Sequence, residues 1–151
     1  MLYTEFNVLK TVIITAAKTI GVPSSLLLAI CSHETGLTHK INYNDGKSHT
    51  FGMCQVKHET AKMLGFKGSE KDLMRPEVNA KYAAKYLKYQ FKRYNNNWCK
   101  STSAYNAGSY LISLKNPNTP KNIKYITKVS LFLNEKEKNF LSCEKRGVAS
   151  K

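Results

Sequence analysis

The sequence predicts an all-α protein, α+β at most, that carries one small irregular or hairpin insert near residues 38–56. Apolar residues recur at every third or fourth position over most of the chain, which is the spacing of amphipathic helices. The stretch 38–56 is instead rich in Asn, Asp, Gly, Ser and Thr and includes the turn signal NDG. A chain of 151 residues is long enough to bury the core of a single domain.

The first two predicted helices have clear ends in the sequence. The first ends at Gly21, and its apolar positions are Phe6, Leu9, Val12, Ile13, Ala16 and Ile20. The second spans about residues 24–35, begins after Pro23 and stops at Gly36. Because this second helix is apolar nearly all round, we expect it to be central and buried.

Four further helices are predicted in the rest of the chain. They lie near 56–64, from Pro76 to the asparagines at 95–97, near 98–106 and near 120–134. Residues 135–151 are too polar to extend the core. We therefore assign residues 1–134 to one domain and residues 135–151 to a polar C-terminal tail.

The charge is far from balanced. Twenty-four Lys and Arg against ten Asp and Glu give a formal net charge of +14, which favours a polyanionic partner. Nucleic acid, an anionic membrane surface and the bacterial cell wall all fit this charge. No stretch reaches the roughly 18 apolar residues that a membrane span requires, so we expect no stable membrane insertion.

The apolar run TVIITAA between Lys10 and Lys18 has two readings, a helix of the domain or a processed signal peptide. A signal peptide favours a basic start, whereas Glu5 lies before this run. We therefore expect a helix and no convincing signal peptide, so that export would need another route.

The four cysteines at positions 31, 54, 99 and 143 contain no CxxC pair, which argues against a zinc ribbon. Their even number permits disulfides, but a domain of this size does not require them. Since Cys31 and Cys54 have apolar neighbours, we expect buried free thiols.

Glu34 is an unusual acidic residue because it follows the apolar run SLLLAIC, in the last turn of the buried helix. Burial disfavours the charged carboxylate, and the negative end of the helix dipole does the same, so both effects raise its pKa. A carboxylic acid that is still protonated near neutral pH is what general acid catalysis of glycoside cleavage requires. The alternative is a surface glutamate that simply ends a helix.

Three short segments around Glu34 carry a family resemblance. HETGL, FGMCQV and SAYNAG occur in this order, and together they resemble the lytic transglycosylases of the soluble-transglycosylase (SLT) type, in the lysozyme-like superfamily related to goose-type lysozyme. In that family a Glu-Ser pair ends a helix, and Gly-Leu-Met-Gln and Ala-Tyr-Asn-Ala-Gly segments follow. The resemblance extends over residues 21–129 and implies a lysozyme-like catalytic domain.

The resemblance implies a role for each matching residue. Glu34 would be the catalytic acid and base, and Thr35, in the serine position, could supply a hydroxyl to the sugar. The substrate-binding residues would be Thr35, Gly52, Met53, Gln55, Tyr105, Asn106 and Tyr125. Among these, Gly52 and Met53 would form the groove floor, and Tyr125 would hold Glu34 or stack on a ring. His33 is a departure from the family pattern without an assigned role.

The resemblance also implies the reaction. A lytic transglycosylase cleaves the bond between N-acetylmuramic acid (MurNAc) and N-acetylglucosamine (GlcNAc), and the muramic acid's own 6-hydroxyl attacks to form a 1,6-anhydro ring. One glutamate then suffices, with no metal or other cofactor. The alternative is a hydrolytic muramidase, for which Asp45 or Glu59 would be the second carboxylate. We expect a monomer that acts on peptidoglycan and anionic wall polymers, in the periplasm or envelope, and the sequence is also compatible with a phage virion or lysis protein.

Three rival functions find weaker support. A zinc protease would need histidine at position 37 to complete HExxH, but Leu37 is there. Cysteine catalysis would need Cys54 beside His49 or His58. A non-catalytic basic module that binds the wall or nucleic acid could use the lysines and tyrosines of residues 81–94, but Tyr82, Tyr86 and Tyr89 have the helical spacing of a stripe that packs on the core. We therefore expect no nucleic-acid partner.

Overall fold

A computed structural model describes residues 3–43 and 48–143 of the chain. The helices in this part are α1 (Tyr3–Ile20), α2 (Ser24–Thr35), α3 (His58–Met63), α4 (Glu70–Leu73), α5 (Pro76–Arg93), α6 (Trp98–Ala107) and α7 (Ile123–Ser130), followed by a 3₁₀ helix (Glu137–Leu141). The strands are β1 (Ile41–Asn42), β2 (Thr50–Phe51) and β3 (Val56–Lys57). The predicted helical fold with a small insert is confirmed.

Helix α2 lies at the centre of the molecule. It contacts α1, α5, α7 and the 3₁₀ helix, and Leu26, Leu27, Ile30 and Cys31 are completely buried. A helix that has neighbours on several sides buries most of its surface, and this explains why the sequence of α2 is apolar nearly all round. The prediction of a central helix over 24–35 is therefore confirmed, including its bounds.

Helix α1 includes the apolar run that the sequence left open between a helix and a leader. Leu9, Ile13 and Ala17 are buried in the core, where α1 packs against α2 and α5. Gly21 ends the helix with a φ of +88°, a conformation that costs glycine little. The run is thus a structural part of the domain. No helix among the described residues is long and apolar enough to cross a membrane.

The insert forms a three-stranded antiparallel sheet in the order β1-β2-β3. Paired residues point to the same face, so the register divides the six strand residues into two rows. One row, Ile41, Phe51 and Val56, packs on the core, and the other consists of Asn42, Thr50 and Lys57. The sheet therefore presents a polar face outward, and the predicted hairpin is confirmed with one extra strand.

The last predicted helix, near 120–134, is shorter in the structure. Helix α7 begins only at Ile123, because Pro120 pairs with Ile112 in a β-bridge, Lys121 donates its backbone N–H to the Leu111 carbonyl, and residues 121–122 form a turn. Helix α4 and the 3₁₀ helix were not predicted from the sequence. Leu141 of the 3₁₀ helix reaches the core, although the boundary proposed at residue 134 stays a prediction.

The expectation of free thiols is wrong. Cys31 is bonded to Cys54, and Cys99 is bonded to Cys143. The partners are 23 and 44 residues apart, so only the packing of the helices brings them together. Apolar neighbours indicate burial, but a buried thiol and a buried disulfide have the same sequence surroundings, which is why the prediction failed.

Candidate active site

One groove of about 390 Å³ runs between the sheet and the helices α2, α3, α5 and α6. Its lining residues are Glu34, Asn42, Thr50, Gln55, Val56, Lys57, Thr60, Tyr86, Tyr105, Asn106 and Gly108. Most of these side chains are polar, and only two, Glu34 and Lys57, carry ionisable acidic or basic groups of the Asp, Glu, Lys, Arg or His type. A groove with this lining suits a polar, hydroxyl-rich ligand.

Glu34 lies one residue before the end of α2, and Gly36 ends that helix in the left-handed region with a φ of +64°. The sharp turn places the carboxyl group at the groove, while the rest of the helix stays in the core. Burial raises the pKa of Glu34 to about 7, although a hydrogen bond from Tyr125 opposes this rise. A large fraction of the Glu34 carboxyl groups is therefore protonated at neutral pH.

Tyr125 extends from α7 to the Glu34 side chain. Its hydroxyl donates to Glu34 Oε2 over 3.3 Å, and only 8% of the residue is exposed. Burial, and then the nearby Glu34 charge, raise the pKa of Tyr125 well above its usual range, so that the phenol keeps its proton. Tyr125 therefore fixes one carboxyl oxygen of Glu34 and leaves the other for different contacts.

His33 lies on the other side of the Tyr125 ring. The two rings meet edge to face with their centroids 5.2 Å apart. Burial, followed by the charge of Lys128, lowers the pKa of His33, which favours its neutral form. The ring of Tyr125 is thus packed in place by an uncharged neighbour.

The segment 52–55 is fastened to α2 by two bonds. The Thr35 hydroxyl donates to the Met53 carbonyl over 2.8 Å, and the Cys31–Cys54 disulfide lies one turn earlier on α2. Because both bonds start within four residues of Glu34, they fix the distance between the acid and the opposite edge of the groove.

The same segment is also fastened to α5 and α6. Asn79 is completely buried; its Oδ1 accepts from the Cys54 N–H over 2.9 Å, and its Nδ2 donates to the Phe51 and Leu73 carbonyls. The Tyr105 hydroxyl donates to the Cys54 carbonyl over 2.7 Å. The groove wall is thus held by hydrogen bonds from three helices.

Gln55 closes the wall at the groove surface. Its Nε2 donates to the carbonyls of Lys40 and Gly52, and its Oε1 accepts from the Thr50 hydroxyl over 2.6 Å. The backbone of Gln55 has a φ of +53°, an uncommon conformation that these bonds support. Gln55 lines the groove, as expected, but most of its hydrogen-bonding capacity holds the sheet together.

Four of the residues predicted to bind substrate do not line the groove: Tyr125, which contacts Glu34 from α7, and Thr35, Gly52 and Met53. Met53 is fully buried, so its side chain supports the groove from below and does not form its floor. Gly52 is also buried, with Asn79 packed where a side chain would be. Thr35 uses its hydroxyl hydrogen on Met53 and accepts from the Thr38 N–H, and it does not line the groove. The family motif around them is largely structural in this chain.

Tyr105 and Asn106 lie at the groove as predicted. Asn106 is exposed, and its Oδ1 accepts a hydrogen bond from Asn122 Nδ2 over 2.9 Å. Asn122 is held in turn by Ser103, whose hydroxyl and carbonyl contact its side chain. This arrangement orients the Asn106 amide so that its NH₂ group is the part available to a ligand.

Several residues that form the site were not predicted from the sequence. Asn79 and Asn122 were not singled out, and neither was the polar row Asn42, Thr50 and Lys57. Asn79 shares a helix face with Ala83 and Tyr86, so a polar residue on the core side of α5 was a usable signal. The polar row was unpredictable, because strands of two residues leave no alternating pattern in the sequence.

The other candidate catalytic groups are separate from the groove or lie outside the described residues. Glu59 is exposed on α3 and does not line the groove, whereas Asp45 lies outside the described residues. Cys54 is in a disulfide, so it is no nucleophile. Leu37, at the position where a zinc protease needs histidine, is completely buried.

Residues 11–126 match the family model of the transglycosylase SLT domain. The chain belongs to this family. The match covers most of the 21–129 range over which the sequence alone shows the resemblance, and it confirms the predicted class of enzyme at the level of the family. In this SLT domain Glu34 occupies the position that the resemblance gives to the family's catalytic acid.

Relatives of known sequence agree with this membership. Protein IpgF of Shigella flexneri is 32% identical over 97 residues, which are 62% of this chain and 63% of that protein. The soluble lytic murein transglycosylase of Escherichia coli K12 is 33% identical over 93 residues, which are 58% of this chain but only 14% of that enzyme. The chain therefore spans less than two thirds of either relative.

Solved structures show the same fold. An inactive mutant of the lytic transglycosylase Slt from Pseudomonas aeruginosa matches with a TM-score of 0.58 and 21% identity, covering 87% of this chain and 22% of that chain. The 70 kDa soluble lytic transglycosylase of Escherichia coli matches with a TM-score of 0.51 and 21% identity, covering 81% of this chain and 20% of that chain. At this identity the similarity concerns the fold alone.

Proposed function

We propose that this SLT domain is a peptidoglycan lytic transglycosylase that cleaves the MurNAc-(β1,4)-GlcNAc bond and forms a 1,6-anhydro ring on the muramic acid. The observation that carries the proposal is the state of Glu34. Among the residues that the structure describes, it is the one carboxyl group that lines the groove, its pKa is raised to about 7, and Tyr125 holds one of its oxygens.

In the first step Glu34 acts as the general acid. Its carboxyl proton passes to the glycosidic oxygen, the bond from that oxygen to C1 of the muramic acid breaks, and the GlcNAc end leaves with a free 4-hydroxyl. Positive charge develops at C1, close to the carboxylate that has just formed. Tyr125 stabilises this carboxylate, because its hydroxyl remains protonated and donates to Oε2.

In the second step Glu34 acts as the general base. It removes the proton from the 6-hydroxyl of the same muramic acid while O6 bonds to C1, which closes the anhydro ring and restores the carboxylic acid. No water is consumed. Because the nucleophile belongs to the substrate, its effective concentration is high, and a second carboxylate is not required. This fits a groove in which Glu34 is the only acidic lining residue within the described ranges 3–43 and 48–143.

The remaining groove residues would position the sugar. The NH₂ group of Asn106 can donate to an acetamido carbonyl, since Asn122 occupies its oxygen. Tyr105 holds the groove wall through its hydrogen bond to the Cys54 carbonyl. Gln55 holds the wall through its hydrogen bonds with the Thr50 hydroxyl and the Gly52 carbonyl. We assign to Thr35, Gly52 and Met53 a supporting role, without direct contact with the sugar.

The substrate and location follow from the same proposal. We infer that the partners are peptidoglycan strands and anionic wall polymers, which the formal net charge of +14 would attract. The two disulfides suit an oxidising compartment such as the periplasm or the outside of the cell, where the wall lies. We propose action there by a monomer.

Mass spectrometry of a peptidoglycan digest tests the reaction type. A lytic transglycosylase releases anhydro-muropeptides, which are one water lighter than the products of hydrolysis. Digestion in ¹⁸O-labelled water gives a second readout, because a hydrolase incorporates the label at the new reducing end. Anhydro products without the label support the proposal, whereas labelled reducing ends would show a muramidase.

A further inference from the structure

The polar row of the sheet forms one wall of the groove. Asn42, Thr50 and Lys57 are successive partners across β1, β2 and β3, and all three line the groove. The opposite row of the sheet, Ile41, Phe51 and Val56, packs on the core. The polar row therefore cannot face the core as well. Their position at the groove is therefore fixed by the register of the strands.

Lys57 is the charged member of this row. It is exposed at the end of β3, immediately before α3, and it is the only basic residue that lines the groove in the part of the chain that the structure describes. Within the described ranges 3–43 and 48–143, no carboxylate lies within ion-pair distance of Lys57 and its ammonium group makes no hydrogen bond. The fold makes no visible use of this charge.

The Lys57 charge is also absent from the electrostatics of Glu34. Burial raises the pKa of Glu34 and the Tyr125 hydrogen bond lowers it, and no lysine is among the causes of the shift. Lys57 and Glu34 thus line the same groove without an ion pair between them. A substrate in the groove would meet the acid at one place and the ammonium group at another.

We propose that Lys57 determines substrate specificity by binding a carboxylate of the glycan strand while Glu34 acts on the glycosidic bond. The inference rests on the proposed function, because it takes peptidoglycan as the ligand. N-acetylmuramic acid carries a lactyl group whose carboxylate is free when the stem peptide has been removed. In an intact strand the lactyl group is amide-bonded, and the stem peptide carries carboxylates of its own. An ammonium group at the groove wall can pair with either source.

Binding assays can test Lys57 without catalysis. Glu34→Gln and the double variant Glu34→Gln/Lys57→Met would be titrated with four soluble glycans: strands with stem peptides, strands stripped by an amidase, and each of these after its carboxylates are converted to methylamides. Lys62→Met in the Glu34→Gln background is the matched control, since Lys62 is exposed on α3 and does not line the groove. Circular dichroism confirms that each variant is folded.

We expect Lys57→Met to weaken binding about threefold to tenfold on at least one of the two native glycans, the range expected for a partly exposed charge pair. The loss should vanish on the methylamide counterpart and shrink at high ionic strength. A loss on stripped strands alone identifies the lactyl carboxylate, and a loss on stem-bearing strands alone identifies a stem carboxylate. A loss on both would mean that Lys57 accepts either source.

Equal losses on native and methylamide glycans, no loss on any glycan, or an equal loss for Lys62→Met would overturn the role of Lys57. These outcomes are independent of the reaction type, which the digest of the wild-type protein decides. If that digest contained no cleaved glycan, the proposed function would fail, while the binding comparison would still give its own answer.

Discussion

Tyr125 donates its hydroxyl hydrogen to Glu34 Oε2 over 3.3 Å, although 91 residues separate the two in the chain. The contact joins α7 to the end of α2 and is one of two effects that act on the pKa of the Glu34 carboxyl group. Burial raises the pKa of Glu34 and the Tyr125 hydrogen bond lowers it, with burial the larger effect. The balance between these two effects leads to the first prediction.

We expect kcat/KM for peptidoglycan cleavage to fall above about pH 7, because the general acid must be protonated and the pKa of Glu34 is raised to about 7. In Tyr125→Phe the opposing hydrogen bond is lost, so the pKa of Glu34 should rise further. The alkaline limb of the pH profile should then move to higher pH, while kcat falls. A pH profile of both proteins measures this, and a limb that moves to lower pH in Tyr125→Phe would contradict it.

Glu34 should also reduce stability at neutral pH. Since the folded protein holds the Glu34 proton more tightly than the unfolded chain, the free energy of unfolding should decrease between pH 4.5 and about 7. Glu34→Gln removes this dependence. The change that it causes in the free energy of unfolding should therefore be more favourable at pH 8 than at pH 4, by on the order of 2 kcal/mol. Urea denaturation at both pH values measures the difference, and an equal effect at both would refute the burial argument.

The two disulfides should differ in their effect on activity. Each closes a chain segment, of 23 and 44 residues, so replacing either pair by alanine should reduce stability by about 2–4 kcal/mol. Only the Cys31–Cys54 bond joins the helix that carries Glu34 to the groove wall. We expect Cys31→Ala/Cys54→Ala to lose at least tenfold in kcat at a temperature where it is fully folded, and Cys99→Ala/Cys143→Ala to lose much less. Similar losses of kcat in the two variants would argue against a positioning role.

Gly52 should be indispensable for the wall of the groove. It has a φ of +77°, and an added Cβ would lie 2.3 Å from Asn79 Nδ2. Gly65 is a matched control because it has a φ of +100° and no atom within 4 Å of an added Cβ. Both alanine variants suffer backbone strain of about 1 kcal/mol, but Gly52→Ala should lose at least about 2 kcal/mol more. Thermal denaturation compares them, and equal losses would show that Asn79 moves aside freely.

The helices of this protein were predictable because their signals are local. Gly21 and Gly36 end α1 and α2 at the positions predicted from the sequence, and the apolar sequence of α2 predicted its burial. Glu34 was also predictable, since its apolar neighbours indicate the burial that raises its pKa. Its contact with Tyr125 needed the family resemblance, because no local pattern joins residues 91 positions apart.

The parts of the site that were not predicted depend on tertiary packing. Thr35 and Met53 belong to motifs that the resemblance links to substrate, but their backbone and side-chain atoms are used to bind the wall to α2. Cys31 and Cys54 are brought together by the packing of α2 against the insert, and Cys99 and Cys143 by the packing of α6 against the segment after the 3₁₀ helix. Lys57 reaches the groove through the register of strands only two residues long, which leave no readable pattern.

The role of Glu34 itself is tested most directly by lysis of purified peptidoglycan. Glu34→Gln is an uncharged near-isostere, and Glu59→Gln is the matched control on exposed α3 surface outside the groove. We predict that Glu34→Gln loses at least a thousandfold in the rate of lysis, within the range of losing a general acid together with its role as base, while it keeps its fold and still binds peptidoglycan. Glu59→Gln should lyse at the wild-type rate. Undiminished lysis by Glu34→Gln would contradict the account at its centre.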